Sequence, residues 1–150
     1  MRWKANVTVA AVIEKEGKFL MIEEQADGAA CVINQPAGHL EENESLLHAA
    51  AREVLEETAW EFDAEYLLGV YLYPSPDNGI TYLRVCYAGR ATQHHPEREL
   101  DEGIIQALWL SPEEIEERKN ELRSPLVRQC VDDYLAGKRY PLEIIHHFKA

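Results

Sequence analysis

The first forty residues alternate between apolar runs and short polar breaks, a pattern that predicts strands joined by turns. Residues 6–15 are rich in β-branched side chains, and residues 18–23 contain a run of large apolar side chains. Glu16-Gly17 lies between them and predicts the turn of a hairpin. A third short apolar segment, residues 31–34, runs into Gln35-Pro36-Ala37-Gly38, for which we predict a loop.

Farther along the chain the apolar spacing changes to 3.6 residues, which predicts a helix at about residues 45–58. Its expected inner face consists of Leu47, Ala50, Ala51, Val54, Leu55 and Thr58. Residues 66–73, 81–90 and 104–110 are predicted strands. Ser111-Pro112 and Ser124-Pro125 predict two further helix starts, and Gly137 the end of the second of these helices. This order favours an α/β fold with a mixed sheet covered by helices on its faces.

Length and composition suit one compact domain spanning residues 1–150. Apolar residues make up 46% of the 150 residues, which is enough for a core and too many for a disordered chain. No run approaches the roughly 20 apolar residues that span a bilayer, and the first residues lack the apolar run of a signal peptide. We therefore expect a soluble, cytoplasmic protein without a membrane partner.

The charge balance excludes one class of partner. The 15 Lys and Arg residues are outnumbered by 27 Asp and Glu residues, giving a net charge of −12, whereas binding a nucleic-acid polymer needs a basic surface. A nucleotide substrate stays open, because bound divalent cations reverse a local field. The three cysteines are odd in number and lie in apolar surroundings, which predicts reduced core thiols.

The predicted central helix carries an unusual cluster of acids, Glu53, Glu56 and Glu57. Their offsets of three and one confine them to about 100° of the helix circumference, where like charges repel. Arg52 can neutralise one of them, since Glu56 lies four residues farther on. For an arbitrary Glu triplet a solvated acidic face is the usual interpretation, but clustered carboxylates also suit Mg²⁺ or Mn²⁺.

The spacing of the residues that precede the acidic cluster favours the interpretation as a metal site. Gly38 is followed after five residues by Glu44, and after seven more by the run Arg52-Glu53-Val54-Leu55-Glu56-Glu57. This spacing resembles the box of the Nudix hydrolases, a highly specific motif. Two positions depart from the family pattern: Ala59 stands where the family has glycine, and Trp60 where it usually has an aliphatic residue. A left-handed Ala59 costs on the order of 1 kcal/mol but removes no metal ligand.

The resemblance extends over nearly the whole chain and implies the family's α/β/α sandwich. Several segments are similar to the NudJ-type phosphatase subgroup: Val7-Thr8-Val9-Ala10, residues 34–41, residues 122–127 and residues 139–143. That similarity implies a Mg²⁺-dependent enzyme, with Mn²⁺ as a possible substitute. Its substrates would be small nucleoside or thiamine-related di- and triphosphates, with orthophosphate released by metal-activated water. The alternatives are a Nudix pyrophosphatase for ADP-ribose, dinucleotides or nucleotide sugars, and a non-catalytic ligand sensor. The subgroup also favours a monomer, and a dimer stays open.

The resemblance also assigns roles to matching positions. Glu53, Glu56, Glu57 and the carbonyl of Ala37 would hold the metal. Glu53 is in addition a candidate to orient or deprotonate water. Arg52 would lock the carboxylates through charge-assisted hydrogen bonds, and Gly38 would allow the loop to approach the helix.

A downstream acid and three substrate contacts complete the candidate site. Family members often supply a further acid after the box, and here Asp101 or Glu102 fits, with an ordinary surface carboxylate as the alternative for each. Arg84, within a predicted strand, is a candidate phosphate clamp, or else an outward-facing residue. Gln35 and His39 flank the predicted metal loop and are candidate substrate contacts, although His39 equally suits a hydrogen bond within the loop.

Overall fold

The computed structural model describes residues 1–25 and 30–150. Within these residues seven strands and three α-helices form an α/β fold, as the hydrophobic pattern predicts, and two short 3₁₀ turns lie at Lys119–Glu121 and Leu142–Ile144. The elements in chain order are β1 (Asn6–Lys15), β2 (Lys18–Gln25), β3 (Cys31–Asn34), β4 (Ala37–His39), α1 (Leu46–Thr58), β5 (Trp60–Pro74), β6 (Thr81–His94), β7 (Ile104–Leu110), α2 (Pro112–Glu117) and α3 (Pro125–Leu135).

Strand β1 organises a mixed sheet. It runs parallel to β6 from the pair Asn6↔Tyr82 to the pair Ile13↔Gly89, and its last residues pair antiparallel with β2. The order of strands is β3-β2-β1-β6-β5, with β4 added against β1 and β7 against β2. β1 therefore joins two groups of strands. It pairs with β4 and β6 along most of its length, and its end connects to β2, which carries β3 and β7.

Helices cover both faces of this sheet, which produces the expected three layers. Alternate residues of a strand point to opposite faces. Val9 and Tyr87 pack with Ala49 and Ala50 of α1 on one face. On the other face a larger cluster joins the strands to α2 and α3, and its buried members are Ala10, Val12, Phe19, Met21, Ile33, Leu68, Cys86, Ala88, Leu110, Ile115, Val127, Cys130 and Val131. The sheet is thus buried on both sides.

The helix starts that the sequence predicts are confirmed. The Ser45 hydroxyl accepts a hydrogen bond from the backbone N–H of His48 at the start of α1. Ser111 and Glu114 form a reciprocal capping box at the start of α2, and Ser124 caps α3. These caps fix where each helix leaves the sheet, because they satisfy backbone donors that the helix itself cannot.

Two expectations about local structure are wrong. The segment predicted as a loop before α1 contains strand β4, whose residues pair with β1 at Ala10↔Ala37 and Thr8↔His39. The backbone of this segment is thereby satisfied by the sheet edge, a tertiary effect that turn-forming residues do not reveal. Strands β5 and β6 are also longer than predicted, because they form one long antiparallel ribbon from Trp60↔His94 to Pro74↔Thr81.

The expected inner face of α1 is partly wrong. Leu47 is 41% exposed, whereas Ala49 is completely buried. The small alanines allow α1 to lie close to the sheet, and the rotated face also buries Glu57. Among the cysteines, Cys86 and Cys130 are buried as expected, but Cys31 is partly exposed and lies 3.7 Å from the side-chain oxygen of Gln25.

No helix among the described residues combines the length and the apolar character needed to cross a membrane.

Candidate metal and phosphate site

The last two turns of α1 bring the predicted acids together beside β4. Glu53 and Glu56 are partly exposed, with 12% and 29% of their side-chain surfaces accessible, while Glu57 is buried. Val54, between them in sequence, is completely buried in the core. The helix is therefore anchored by its apolar side while its acids line one edge of that anchored face.

Arg52 binds three carboxylates of the motif at once. Its Nη1 donates to Glu53 Oε1 at 2.7 Å and to Glu56 Oε1 at 3.0 Å. On its other side Nε and Nη2 form a bidentate pair with Glu44, at 2.7 and 2.9 Å. These bonds lower the pKa of Glu44 to about 2, so Glu44 is a fixed anion that holds the guanidinium in place.

A second link from Arg52 connects the helix to the strand before it. Nη2 donates to the carbonyl oxygen of His39 at 3.1 Å. Arg52 thus fixes β4 relative to α1, which is a positioning function independent of any ligand.

Glu57 is a buried acid at the junction of α1 and β4. The backbone N–H of Ala37 donates to its Oε1 at 2.9 Å. Burial, followed by the nearby carboxylates of Glu53, Glu24 and Asp101, nevertheless raises the pKa of Glu57 to about 9. The main influences on the pKa of Glu57 include no positively charged group, so its carboxylate has no counter-charge to stabilise the ionised form.

Asp101 is the downstream acid that lies next to this cluster. Its backbone N–H donates to the carbonyl oxygen of Glu56 at 2.9 Å, which ties the segment before β7 to α1. Loss of solvation and the Glu56 carboxylate raise the pKa of Asp101. Burial likewise raises the pKa of Glu53 against the opposing effect of Arg52, with Glu56 and Asp101 adding repulsion. Glu102, the other candidate, is exposed at the turn, as Asp101 is.

The sequence did not single out Glu24, which contributes to the same electrostatic environment. It lies on β2 beyond the predicted end of that strand, with 14% of its side chain exposed, and it forms an ion pair with Arg123. Its carboxylate is one of the charges that raise the pKa of Glu57. No local motif marks Glu24, because its proximity to α1 results from the pairing of β2 with β7.

The chemistry of these residues fits a divalent cation. Among the hydrogen bonds of the described residues, Glu53, Glu56 and Glu57 are each engaged through Oε1 alone, so the second oxygen of each is available. As the described side chains stand, no three His, Cys, Asp or Glu groups converge closely enough to ligate a metal. The excess of negative charge, with pKa values raised by mutual repulsion, is what a hard cation would relieve.

Gly38 is required by close packing. A Cβ atom at this position would overlap the carboxyl group of Glu53. The absence of a side chain therefore allows β4 to pass directly over the acid that is central to the motif.

Two of the predicted substrate contacts lie inside the protein. Arg84 is 5% exposed and donates to Gln35 Oε1 at 2.9 Å and to Asn34 Oδ1 at 3.1 Å. Gln35 is 1% exposed and donates to the carbonyl oxygen of Val127 at 2.7 Å. The outward-facing alternative for Arg84 is wrong, and the structure places both residues in a buried network between the sheet and α3.

His39, in contrast, lies at the surface at the end of β4. Its ring is within 3.3 Å of the Asn6 side chain and contacts Tyr82 edge to face at 6.3 Å. It therefore has partners within the protein while staying accessible beside the carboxylates.

Comparison with known proteins gives a consistent set of likenesses. Residues 3–130 match the model of the NUDIX domain family. The chain is 43% identical over 146 residues to phosphatase NudJ from Escherichia coli K12, covering 97% of this chain and 94% of that protein. A NUDIX hydrolase from Nitrosomonas europaea is 50% identical, with a TM-score of 0.95 over 97% of this chain and 98% of the other.

A more distant likeness concerns the fold alone. A bifunctional NMN adenylyltransferase/ADP-ribose pyrophosphatase from Francisella tularensis, solved with AMP and a Mn ion, is 18% identical with a TM-score of 0.68. It covers 89% of this chain and 42% of the other.

Proposed function

The chain belongs to the Nudix hydrolase family, and from that premise we propose that it hydrolyses a terminal phosphoanhydride bond in small di- and triphosphates and releases orthophosphate. The observation that carries the proposal is the concentration of Glu53, Glu57 and Asp101 at the end of α1, where loss of solvation and nearby carboxylates raise all three pKa values. Ionising all three acids in the folded protein is therefore unfavourable, and a bound divalent cation would offset that cost.

Glu53, Glu56 and Glu57, with the carbonyl of Ala37, would hold Mg²⁺, or Mn²⁺ in its place. When bound, a divalent cation supplies neutralisation of phosphate charge and a more acidic water molecule. The Mn ion in the Francisella neighbour is consistent with this choice. Arg52 and Glu44 would keep the carboxylates in position, because their bidentate pair fixes the start of the acidic segment.

Glu53 is the first choice for accepting a proton from the attacking water. Its raised pKa makes it a stronger base than an ordinary exposed glutamate, and it lies directly against Gly38 of β4. Asp101 is the second choice, since it is tied to the backbone of Glu56. We prefer Asp101 to Glu102 solely because Asp101 lies closer to the acids of α1.

The choice of orthophosphate as product rests on similarity to one kind of relative. The 43% identity with phosphatase NudJ covers almost the full length of both proteins. We therefore favour nucleoside di- and triphosphates and thiamine-related pyrophosphates over ADP-ribose, dinucleotides and nucleotide sugars. With Arg84 and Gln35 engaged inside the protein, His39 is the predicted substrate contact that stays accessible.

A product assay tests this proposal. The purified protein is incubated with Mg²⁺ and, separately, with a nucleoside triphosphate, a nucleoside diphosphate, hydroxymethylpyrimidine pyrophosphate, thiamine pyrophosphate and ADP-ribose. Orthophosphate and mononucleotide are quantified independently. We expect orthophosphate from the first four compounds, and its loss on addition of a chelator.

Two variants serve as a matched pair. Glu57→Gln removes one proposed ligand, and Glu117→Gln removes the same charge from an exposed position on α2. Activity should fall only in the first. Mononucleotide from ADP-ribose without orthophosphate would refute the substrate class while leaving the metal site intact. Tight binding of one compound without turnover would instead favour a ligand sensor.

A further inference from the structure

An arginine that the proposed chemistry does not use lies at the centre of a buried hydrogen-bond network. Among the described residues no carboxylate bonds to Arg84 of β6. Its guanidinium donates instead to Asn34 Oδ1 at 3.1 Å, to Gln35 Oε1 at 2.9 Å and to Cys130 Sγ at 3.7 Å, and its Nε has no hydrogen-bond partner. Burying a charge that no acid neutralises is costly, so an apolar side chain would be more stable here if Arg84 only filled space.

The two amide side chains that accept hydrogen bonds from Arg84 belong to neighbouring residues at the end of β3. Side chains of neighbouring strand residues point to opposite faces, so both reach one guanidinium only because the chain leaves β3 after Asn34 and bends at Pro36. Each amide bonds to a different nitrogen of the planar guanidinium, Nη2 for Asn34 and Nη1 for Gln35. Arg84 therefore fixes the direction in which the chain leaves β3.

Two residues farther along, the same segment reaches the proposed metal site. The carbonyl oxygen of Pro36 accepts a hydrogen bond from the backbone N–H of Ala11 at 3.1 Å. The backbone N–H of Ala37 donates to Glu57 Oε1 at 2.9 Å, and the Ala37 carbonyl is a proposed metal ligand. Only Pro36 separates Gln35 from Ala37, and peptide units are rigid, so a displacement of Gln35 would be carried directly to Ala37.

Gln35 extends the network to α3. Its Nε2 donates to the carbonyl oxygen of Val127 at 2.7 Å, while its Oε1 accepts from Arg84. One side chain therefore joins the start of α3 to β6 and to the segment that leads into β4. The network thus holds residues 34–37 against two elements, neither of which supplies an acid to the proposed metal site.

We propose that Arg84 and Gln35 are positioning residues for the metal site, and that they hold residues 34–37 so that the backbone of Ala37 lies against Glu57. This inference rests on the proposed function, because metal binding by Glu57 and Ala37 is part of it. Arg84 forms no hydrogen bond or ion pair with an acid among the described residues, so it acts through residues 34–37. Outer partners of this kind keep the groups that bind a metal in place, and their loss weakens metal binding in a protein that is still folded.

Two substitutions and a matched control separate positioning from stability. Arg84→Lys keeps the positive charge but replaces the planar guanidinium with a single ammonium group, and Asn34→Ala removes one of its two amide partners. The control is Tyr71→Phe. Tyr71 lies opposite Arg84 in the pairing of β5 with β6, and its hydroxyl donates to Asp133 Oδ2 at 2.7 Å. It therefore also joins the sheet to α3, but among the described contacts it forms no hydrogen bond with residues 34–37.

Three measurements on proteins shown by circular dichroism to be folded test the proposal. Titration with Mn²⁺ should show about tenfold weaker binding by Arg84→Lys and Asn34→Ala, and wild-type affinity for Tyr71→Phe. With Mg²⁺, kcat of the first two variants should fall about tenfold with little change in KM, because neither substitution removes a substrate contact. Without metal, amide exchange of Ala37 measured by NMR should be faster in both variants and unchanged in Tyr71→Phe.

Wild-type Mn²⁺ affinity and kcat in both Arg84→Lys and Asn34→Ala would overturn the inference and leave the proposed function standing. An equal loss in Tyr71→Phe would also overturn it, because the effect would then come from any weakening of the contact between the sheet and α3. A wild type that neither binds Mn²⁺ nor releases orthophosphate would refute the proposed function, and this inference with it. If Arg84→Lys does not fold, Asn34→Ala decides between these outcomes, since it leaves the guanidinium and Gln35 in place.

Discussion

Gly38 lies so close to the Glu53 carboxyl group that a methyl group cannot be placed between them. We expect Gly38→Ala to displace either β4 or the Glu53 side chain and to lower kcat/KM by about 100-fold, since small misplacements of reacting groups have effects of this size. Steady-state kinetics with Mg²⁺ would measure the effect.

The matched control is Gly17→Ala in the β1–β2 turn, where a Cβ meets no atom but φ is +80°. That variant should lose stability and retain kcat/KM. Full activity in Gly38→Ala would show that the close approach of β4 to Glu53 has no part in catalysis.

Ala59 ends α1 in a left-handed conformation, with φ of 63° and ψ of 18°. The family motif has glycine at this position, and the structure explains why: a side chain is strained there. We expect Ala59→Gly to raise the free energy of unfolding by about 0.5–1 kcal/mol, measured by urea denaturation.

Ala136→Gly provides the opposite case, because Ala136 follows α3 in a right-handed conformation with φ of −75°. Glycine should lower stability there, since it only adds freedom to the unfolded chain. Equal effects of the two substitutions would contradict the assigned strain at Ala59.

At the level of single residues, a contact could be predicted from the sequence when its partners lie close together along the chain. The contact of Arg52 with Glu56 follows from helical spacing alone. The burial of Arg84 does not, because its partners Asn34 and Gln35 come from a segment about 50 residues away. The proximity of Glu24 to Glu57 has the same long-range origin.

At the level of elements, α1 combines a buried apolar face with an acid on that same face. The rotation of α1 that buries Ala49 instead of Leu47 also buries Glu57. Periodicity predicts that a helix forms but not its exact rotation, because alanine and leucine are equally apolar in the pattern while only alanine allows this close packing. Strand β4 was not predicted for a related reason. It forms by pairing with β1, a long-range contact that its own residues do not indicate.

The buried Glu57 makes metal-free stability depend on pH. Its pKa in the folded protein is about 9, above the value of 4.5 for an ordinary glutamate. Its contribution to stability is therefore fully present below pH 4.5 and is lost as pH rises towards 9. We expect Glu57→Gln to be more stable than the wild type in the presence of a chelator, by on the order of 3 kcal/mol at pH 7.

Urea denaturation from pH 5 to pH 9 would measure this difference, which should widen with pH. Adding Mg²⁺ should raise the stability of the wild type and change Glu57→Gln much less. A difference that is independent of pH would mean that Glu57 is ionised without cost in the folded protein.

At the level of the whole molecule, one sheet shared by both helical layers predicts cooperative unfolding. β1 pairs with β2, β4 and β6, so its loss would disrupt the entire sheet. We propose that residues 1–150 are a single domain and expect one urea transition with coincident midpoints by tryptophan fluorescence and far-UV circular dichroism. Separate midpoints would indicate independently folding units.

The chain has a net charge of −12, so the acidic site lies in a molecule with an overall excess of negative charge. Fold class and helix starts were predictable, because they depend on local spacing and caps. The box acids were predictable as a motif. Their electrostatic state was not, because it depends on burial by β4 and on the approach of Asp101 and Glu24 from other strands and turns.

Titration of Mn²⁺ with protein, monitored by the electron paramagnetic resonance signal of the free ion, tests the central claim most directly. We expect the wild type and Glu117→Gln to remove free Mn²⁺ from solution with the same affinity. Glu57→Gln should bind at least about tenfold more weakly, the loss expected for removing one charged ligand. Equal binding by all three proteins would place the metal elsewhere and contradict the assignment of Glu53, Glu56 and Glu57 as its ligands.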